Sequence, residues 1–449
     1  MEAHLLRVRR AKVLASRPRG HALGLLLGDL IVTLHIAQAR SLPVLLIERS
    51  ETRSSPLLRL QCEGIQRIVP GEARTARYMW AAAVFGDGVR HGIAGLWNAT
   101  IEWAQRRVQA LVVYFSSGRP LSLVSIWMRW RSRTTGAVPA RASRDRIRIT
   151  GAEVMRRLAL LKRTRSAAGA VYESHDVRRY AALTPLTVRF SAADENEARR
   201  AAGAAGIPHD RPLATLHVRG GAGLHGASGR GKDVIRNADI TTYAPAVQAL
   251  VDRGFTVVRI GDPSMPPVTM PGVIDLATCA ERSSLLDFWC VSRSVFFLAC
   301  DSGPYLLSWL FNVPCLAVNV VNALGVYPLR PRDRYLIKRV RERATGRMVP
   351  FDEMLEEEFI YSFRRRLLKE ESIELIDNSA EEIAAAAHEM ADVVVSNPLP
   401  TERQLWFRSL VARARAGTVS RSKLFEKLGR DDTYLGDGWI VDAFVARQS

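Results

Sequence analysis

Short apolar runs, broken by Gly, Pro and Arg, alternate along this chain. Near the start, Ala11–Ser16 (AKVLAS) reads as a strand and Arg17-Pro18-Arg19-Gly20-His21 as a turn-rich loop. Ala22–Ala39 follows as a helix and Pro43–Glu48 (PVLLIE) as a second strand. A strand-loop-helix-strand opening is how a doubly wound α/β sheet begins. Ala110–Phe115 (ALVVYF) is a further candidate strand, and the Arg-rich stretch from Arg129 to Arg148 reads as a surface excursion. The second half is more regular. Strands are predicted at Leu213–Arg219, Thr256–Ile260, Val273–Ala277, Val295–Ala299 and Cys315–Asn319. Between them fall helices at Tyr243–Arg253, closed by Gly254, at Ser283–Val291 and at Gly303–Phe311. Strands and helices alternating at this spacing predict a parallel sheet wrapped by helices. The last hundred or so residues read as helical, with Ser379-Ala380-Glu381-Glu382 as a capping box before IAAAAHEMADVVV.

The chain has 449 residues, more than one hydrophobic core usually serves. The expected organisation is α/β: an N-terminal Rossmann-like domain over 1–182, a C-terminal Rossmann-like domain over 183–348, and a bracing helical segment over 349–449. The two domains would face one cleft. Composition is ordinary for a globular protein, 47% hydrophobic and 24% charged. Charge is less ordinary, with 64 Lys and Arg against 45 Asp and Glu, a net of +19. No DNA- or RNA-binding signature accompanies it, so the excess points to an enzyme of anionic substrates or to an anionic membrane face, not to nucleic acid.

Two segments bear on the membrane. Ala22–Ala37 is apolar but short for a span, with Asp29 near its middle, and reads as a buried helix. Leu121–Arg131 (LSLVSIWMRWR) mixes Trp127 and Trp130 with Arg129 and Arg131. It fits a packed helix or loop with snorkelling Arg, or a segment lying on a membrane surface. No signal peptide is visible in the basic first nineteen residues or so. Five cysteines without a C-x-x-C pair, and nine scattered His, argue against a disulfide framework or a held metal. They fit a reducing cytoplasm.

Four places are candidates for chemistry. In Phe296–Pro314 an apolar strand ends in Asp301-Ser302-Gly303-Pro304 and turns into a helix. Gly303 allows close backbone approach, Pro304 suits a first helical position, and the helix start with the Ser302 hydroxyl suits a phosphate. The same residues also serve a plain strand-to-helix turn capped by Asp301 or Ser302. At the end of Leu213–Arg219, His217 and Arg219 share a side, and Arg219 is suited to clamp a diphosphate; a lone strand His is more often a satisfied core residue. Arg236-Asn237-Ala238-Asp239 precedes a helix, with Asp239 either its N-cap or a functional carboxylate. Arg259 and Asp262 sit at another strand end. Apart from these four, Gly226–Lys232 matches the phosphate loop of NTPases, but Asp233 stands where that loop needs Ser or Thr for magnesium, so a flexible loop over the crevice is the better reading.

The ordered set LHVR, RNADITTY, VVRIGDPSMPPV and DSGPYLLSWLFNVP resembles a bacterial family of glycosyltransferase-like proteins found in polysaccharide and glycan gene clusters. The last segment is similar to the donor site of heptosyltransferases, and the Arg after the first strand of the second half to that of protein O-fucosyltransferases. Weaker similarity touches Arg19-Gly20-His21 and SRSKLFEKL. The resemblance implies a GT-B architecture, two Rossmann-like domains with a nucleotide-sugar held mainly by the second. Such enzymes usually need no metal, because Arg, Lys and a helix start offset the leaving diphosphate charge.

On this reading the chain moves a sugar from a nucleoside diphosphate sugar to an acceptor hydroxyl on a glycan, a lipid-linked glycan or a protein. The donor is a substrate and no cofactor is expected. His217, Arg219, Arg236, Asn237, Arg259, Asp262, Asp301, Ser302 and Gly303 are the expected donor-binding residues. A general base would come from His21, Asp29 or Asp239, with His21 first because the first β-α loop faces the cleft. The expected location is the cytoplasm, at the inner membrane face if the acceptor is lipid-linked. The alternatives are a non-catalytic nucleotide-sugar-binding protein on the same scaffold and a phosphate-loop NTPase using Gly226–Lys232.

Overall fold

The computed structural model describes residues 13–16, 18, 23–46, 55–66, 164–166, 185–220, 234–321, 330–368, 370–418 and 438–446. They fall into two compact units. The smaller comprises Arg10–Ala15 and Pro70–Ser166. The larger takes in Ser16–Val69 and Ala167–Ser449. Ala110–Phe115, Leu121–Arg131, Arg129–Arg148 and Gly226–Lys232 lie outside the described residues.

In chain order the first elements are strand β1 (Val13–Ser16), helix α1 (Leu23–Arg40), and strands β2 (Val44–Leu46), β3 (Gln61–Cys62), β4 (Thr164–Ser166) and β5 (Val188–Arg189). In the smaller unit β1 pairs in parallel with β4, Val13 opposite Thr164. In the larger, β3 pairs antiparallel with β5. Helix α1 is buried over all of Leu26–Ala37, Asp29 and His35 included. A helix apolar on every side belongs inside a core, as its sequence predicted. No described helix is long and apolar enough to cross a membrane.

The second half begins with α2 (Ala192–Ala204), capped by Ser191, whose side chain accepts from the Asp194 amide. There follow β6 (Leu213–His217), α3 (Ala244–Asp252), β7 (Thr256–Arg259), β8 (Val273–Asp275), α4 (Ser284–Arg293), β9 (Phe296–Cys300), α5 (Leu306–Leu310) and β10 (Cys315–Val320). Helix α3 stops where Gly254, at φ +84°, turns left-handed and the Phe255 amide donates back to Leu250. Strands β11 (Arg334–Ile337) and β12 (Arg339–Glu342), helices α6 (Phe351–Met354) and α7 (Glu357–Leu368), strand β13 (Ile373–Ile376), helices α8 (Ala380–Ser396) and α9 (Glu402–Thr418), strand β14 (Trp439–Ile440) and helix α10 (Asp442–Ala446) complete the chain.

Seven strands form one parallel sheet in the order β14-β11-β10-β9-β6-β7-β8. The chain starts in the middle at β6, runs outward through β7 and β8, returns to β9 and runs outward the other way. That is the doubly wound Rossmann order, and its reversal lies between β6 and β9. Helices cover both faces. Helices α3 and α8 pack together on one, while α4 and α5 lie on the other, backed by α2 and α1. Every residue of β6, β9 and β10 is therefore buried, which is why these strands read as unbroken apolar runs.

The C-terminal segment is largely helical as expected, and it adds two short strands. Strand β13 pairs antiparallel with β12, over a satellite core of Val340, Val349, Phe359 and Ile373. Strand β14 docks beside β11 and supplies the outer edge of the main sheet. The capping box at Ser379 and Glu382 is present, each side chain accepting from the other's backbone amide.

Candidate functional site

Ligands of open α/β sheets bind beyond the strand C-termini at the point where strand order reverses. Here that point is bracketed by Arg219, two residues past β6, and Asp301, the residue after β9. The sheet register explains their proximity: β6 and β9 pair directly, His217 opposite Ala299. The Arg219 amide then donates to Cys300 Sγ at 3.1 Å.

The segment Arg236–Asp239 lies across this gap, held at three points. Arg236 Nε donates to the Asp301 carbonyl at 2.8 Å and sits 3.3 Å from its carboxylate. The Ala238 amide donates to the Arg219 carbonyl at 3.1 Å. The Asn237 carbonyl accepts from Lys338 Nζ at 2.8 Å. Lys338 follows β11, is buried, and pairs with Asp377 at 2.7 Å. Beneath it, Asn319 and Asn378 exchange backbone-to-side-chain bonds of 2.7 Å each, and Asn319 Nδ2 donates to the buried Tyr243 hydroxyl at 3.1 Å. A fully partnered buried polar network of this kind fixes one geometry. Lys338, Asp377, Asn319 and Asn378 are site-supporting residues that the sequence reading missed; each is a single residue with no motif around it.

Asp301 also accepts from the Val321 amide at 3.3 Å, so one carboxylate ties the ends of β9 and β10 to Arg236. Ser302 is 2% exposed, and its Oγ has no oxygen or nitrogen partner among the described residues. It lies near the Cys300 thiol, whose ionisation burial suppresses. A thiol is a weak hydrogen-bond partner, so an oxygen from outside the protein would satisfy that hydroxyl better. The helix start beside it is slighter than predicted: a three-residue 3-10 turn, Gly303–Tyr305, leads into the five residues of α5. Its dipole is correspondingly small, so side chains rather than the helix must supply most of the positive field.

Gly303 meets a close neighbour, but that neighbour is protein backbone. A Cβ at Gly303 would stand 2.8 Å from the Gly24 amide nitrogen, and a Cβ at Gly24 would stand 2.9 Å from Gly303 Cα. The first turn of α1 thus abuts the Asp301–Pro304 turn, which places the start of an 18-residue helix beside the candidate site.

The other predicted residues divide. His217 is buried, its Nδ1 3.2 Å from the Ile260 carbonyl, and burial lowers its pKa to about 4. It is a neutral core histidine at ordinary pH. Arg259 is 3% exposed and engaged with Asp275 at 2.9 Å and the Pro266 carbonyl at 3.0 Å. Its guanidinium anchors the loop after β7 to β8. Asp262 accepts from Ser264 in a tight turn, and these bonds hold its carboxyl below the usual range. Asp239 is exposed and caps the following turn through the Thr241 amide at 2.9 Å, the structural role open to it from the sequence. Asp29 is buried within α1. His21 lies outside the described residues. The structure therefore gathers Arg219, Arg236, Asn237, Asp301, Ser302 and Gly303 in one place, and sets His217, Arg259 and Asp262 to structural work beside it.

No protein-family model matches the sequence, and no curated protein matches it. Solved structures do resemble this one, among them two glycosyltransferases. A glycosyl transferase family 9 protein from Veillonella parvula DSM 2008 has a TM-score of 0.36 at 11% identity, over 85% of this chain and 98% of its own. The ADP-heptose lps heptosyltransferase II of E. coli has a TM-score of 0.36 at 15% identity, over 73% of this chain and 90% of its own. Likenesses of this size do not fix the chemistry.

Proposed function

We propose that the chain is a glycosyltransferase of GT-B type that moves a sugar from a nucleoside diphosphate sugar to an acceptor hydroxyl in glycan or polysaccharide synthesis. The observation that carries this reading is the reversal point of the Rossmann-ordered sheet, where Arg219 and Arg236 flank Asp301 and the buried Ser302 hydroxyl. Arg219 and Arg236 offset the diphosphate, Ser302 donates to one of its oxygens, and Asn237 with Asp301 orients the nucleoside or sugar. The arginines take the part a metal plays elsewhere, so transfer is expected without one. The acceptor is a glycan, lipid-linked or on protein, and the reaction belongs on the cytoplasmic side.

A second reading is favoured by one observation. Asp239 is occupied as a cap, so the described part of the site supports binding more strongly than base catalysis. A non-catalytic binder on the same scaffold fits that.

Titration calorimetry with UDP-, GDP- and ADP-sugars tests the site. Arg219→Ala is expected to weaken the preferred donor by about a hundredfold, the loss of two charge-assisted hydrogen bonds. Undiminished binding by that variant removes the reading. Transfer or slow hydrolysis of the bound donor separates the enzyme from the binder. An ATPase activity lost in Lys232→Ala favours the NTPase instead.

A further inference from the structure

Large apolar side chains rarely project together into water without a reason. Four do so within residues 395–406, at the corner where α8 hands over to α9. Val395 is 84% exposed, Leu399 91%, Leu405 50% and Trp406 46%. The backbone of this corner is well fixed. Asn397 ends α8 in a left-handed conformation, Pro398 and Pro400 flank Leu399, and the Thr401 amide donates to Gln404 Oε1 at 3.0 Å. The inner face of α9 is fully used, with Gln404, Phe407, Leu410 and Val411 buried. Leu405 and Trp406 lie on its other side, and Arg413, two turns on from Trp406, shares that outer face.

The surroundings are basic. Arg332 reaches the Val394 carbonyl at 3.1 Å, one residue from Val395. Arg403 and Arg253 neutralise Asp442 and Asp392, leaving Glu402 as the exposed acid of the first turn of α9. Arg408 stacks over Trp439, with 4.3 Å between guanidinium and ring. The chain as a whole carries +19.

We infer that this corner is a membrane-docking surface that inserts Val395, Leu399, Leu405 and Trp406 into the interface of an anionic bilayer, with Arg332 and Arg413 at the headgroups. An exposed Trp beside aliphatic side chains and arginines matches the interfacial zone, where one end of each side chain is apolar and the other wet. The positive charge selects an anionic lipid surface over a neutral one. A second copy of the chain is disfavoured as the occupant, because two such corners would bring together Arg332 and Arg413, neither of which has an acidic partner among the described residues. The inference is independent of the sugar-transfer reading and would place any activity of the site at a lipid surface.

Co-sedimentation with vesicles of about seven parts phosphatidylcholine to three parts phosphatidylglycerol tests it. The full chain is expected to bind them, and to bind pure phosphatidylcholine vesicles more weakly. The double variant Leu399→Asp, Trp406→Ala is expected to bind at least about tenfold more weakly, with unchanged thermal stability, because both side chains are exposed. Nucleotide-sugar affinity in solution stays as in the parent, which keeps this test apart from that of the donor site. Equal vesicle binding by parent and double variant overturns the inference. So does a parent that ignores both vesicles but forms a dimer that the double variant abolishes.

Discussion

Replacing Gly24 by Ala poses a question of sign. Gly24 is the second residue of α1, and at an unobstructed helical position Gly→Ala stabilises by up to about 1 kcal/mol. Here the new Cβ would stand 2.9 Å from Gly303 Cα, against about 3.5–4.0 Å for carbon atoms in good contact. The obstacle is backbone on both sides, so relief requires α1 or the Asp301–Pro304 turn to move by more than about half an ångström. Overpacking of this kind costs about 1–3 kcal/mol. The expected net result is a loss of about 1–2 kcal/mol and a melting midpoint lower by a few degrees, roughly 2–6 °C. The control is Gly203→Ala in α2, where nothing lies within 4 Å of the new carbon, and that variant is expected to gain stability. Thermal unfolding followed by circular dichroism reads both. Because the displaced turn carries Ser302, nucleotide-sugar affinity is expected to fall in Gly24→Ala and to stay in Gly203→Ala. Gly303→Ala disturbs the same contact, so the double variant is expected to lose less than the two single losses added. A midpoint that rises in Gly24→Ala as it does in Gly203→Ala would refute the packing argument.

Other consequences are more local. Asp287 is buried in the first turn of α4, and desolvation raises its pKa to about 7 despite Arg282 nearby. The folded state holds that proton more tightly than the unfolded chain does. Its contribution is thus full below about pH 4 and lost as pH climbs towards 7. Asp287→Asn is expected to raise the unfolding free energy at pH 8 by a few kcal/mol at most and to change little at pH 4; an equal shift at both sinks the assignment. Asp275→Ala strands a buried guanidinium at Arg259 and is expected to cost about 3–5 kcal/mol in denaturant unfolding, whereas Arg253→Ala, at the exposed Asp392 pair, is expected to cost under about 1 kcal/mol. Lys338→Met releases the Asn237 carbonyl; nucleotide-sugar affinity is expected to fall about tenfold, the loss of one charge-assisted hydrogen bond in calorimetry, and unchanged affinity means the network does not set the site.

The second half was legible because its strands are buried on both faces and its turns are punctuated by Gly and Pro. Leu213, Thr256, Val273 and Cys315 begin strands where the sequence starts them, and Gly254 ends its helix as a left-handed residue should. In the last hundred residues or so the helices were legible and the two short strands were not. Strand β14 is two residues long and gains its identity from β11, which no local pattern announces. Site residues were harder. Arg219 and Arg259 look alike in sequence, each at the end of an apolar strand. What separates them is Asp275, which β8 brings beside Arg259. Asp239 wrote both of its roles into the sequence, and local hydrogen bonding chose the cap. The Gly24–Gly303 contact joins residues far apart in the chain and leaves no trace in either segment beyond the glycine itself.

The placement of β14 has a consequence in time. The sheet that carries the candidate site is complete at its β11 edge only when Trp439 arrives, about a hundred residues after Ile337. At a synthesis rate of about 5–20 residues per second, that edge waits on the order of 5–20 seconds for its partner. During that interval the unpaired edge of β11, with Tyr335 and Ile337 on it, is open to any other extended strand. Nascent chains of this protein are thus most exposed to mispairing late in synthesis, after the candidate site has its strands and before the sheet has its border.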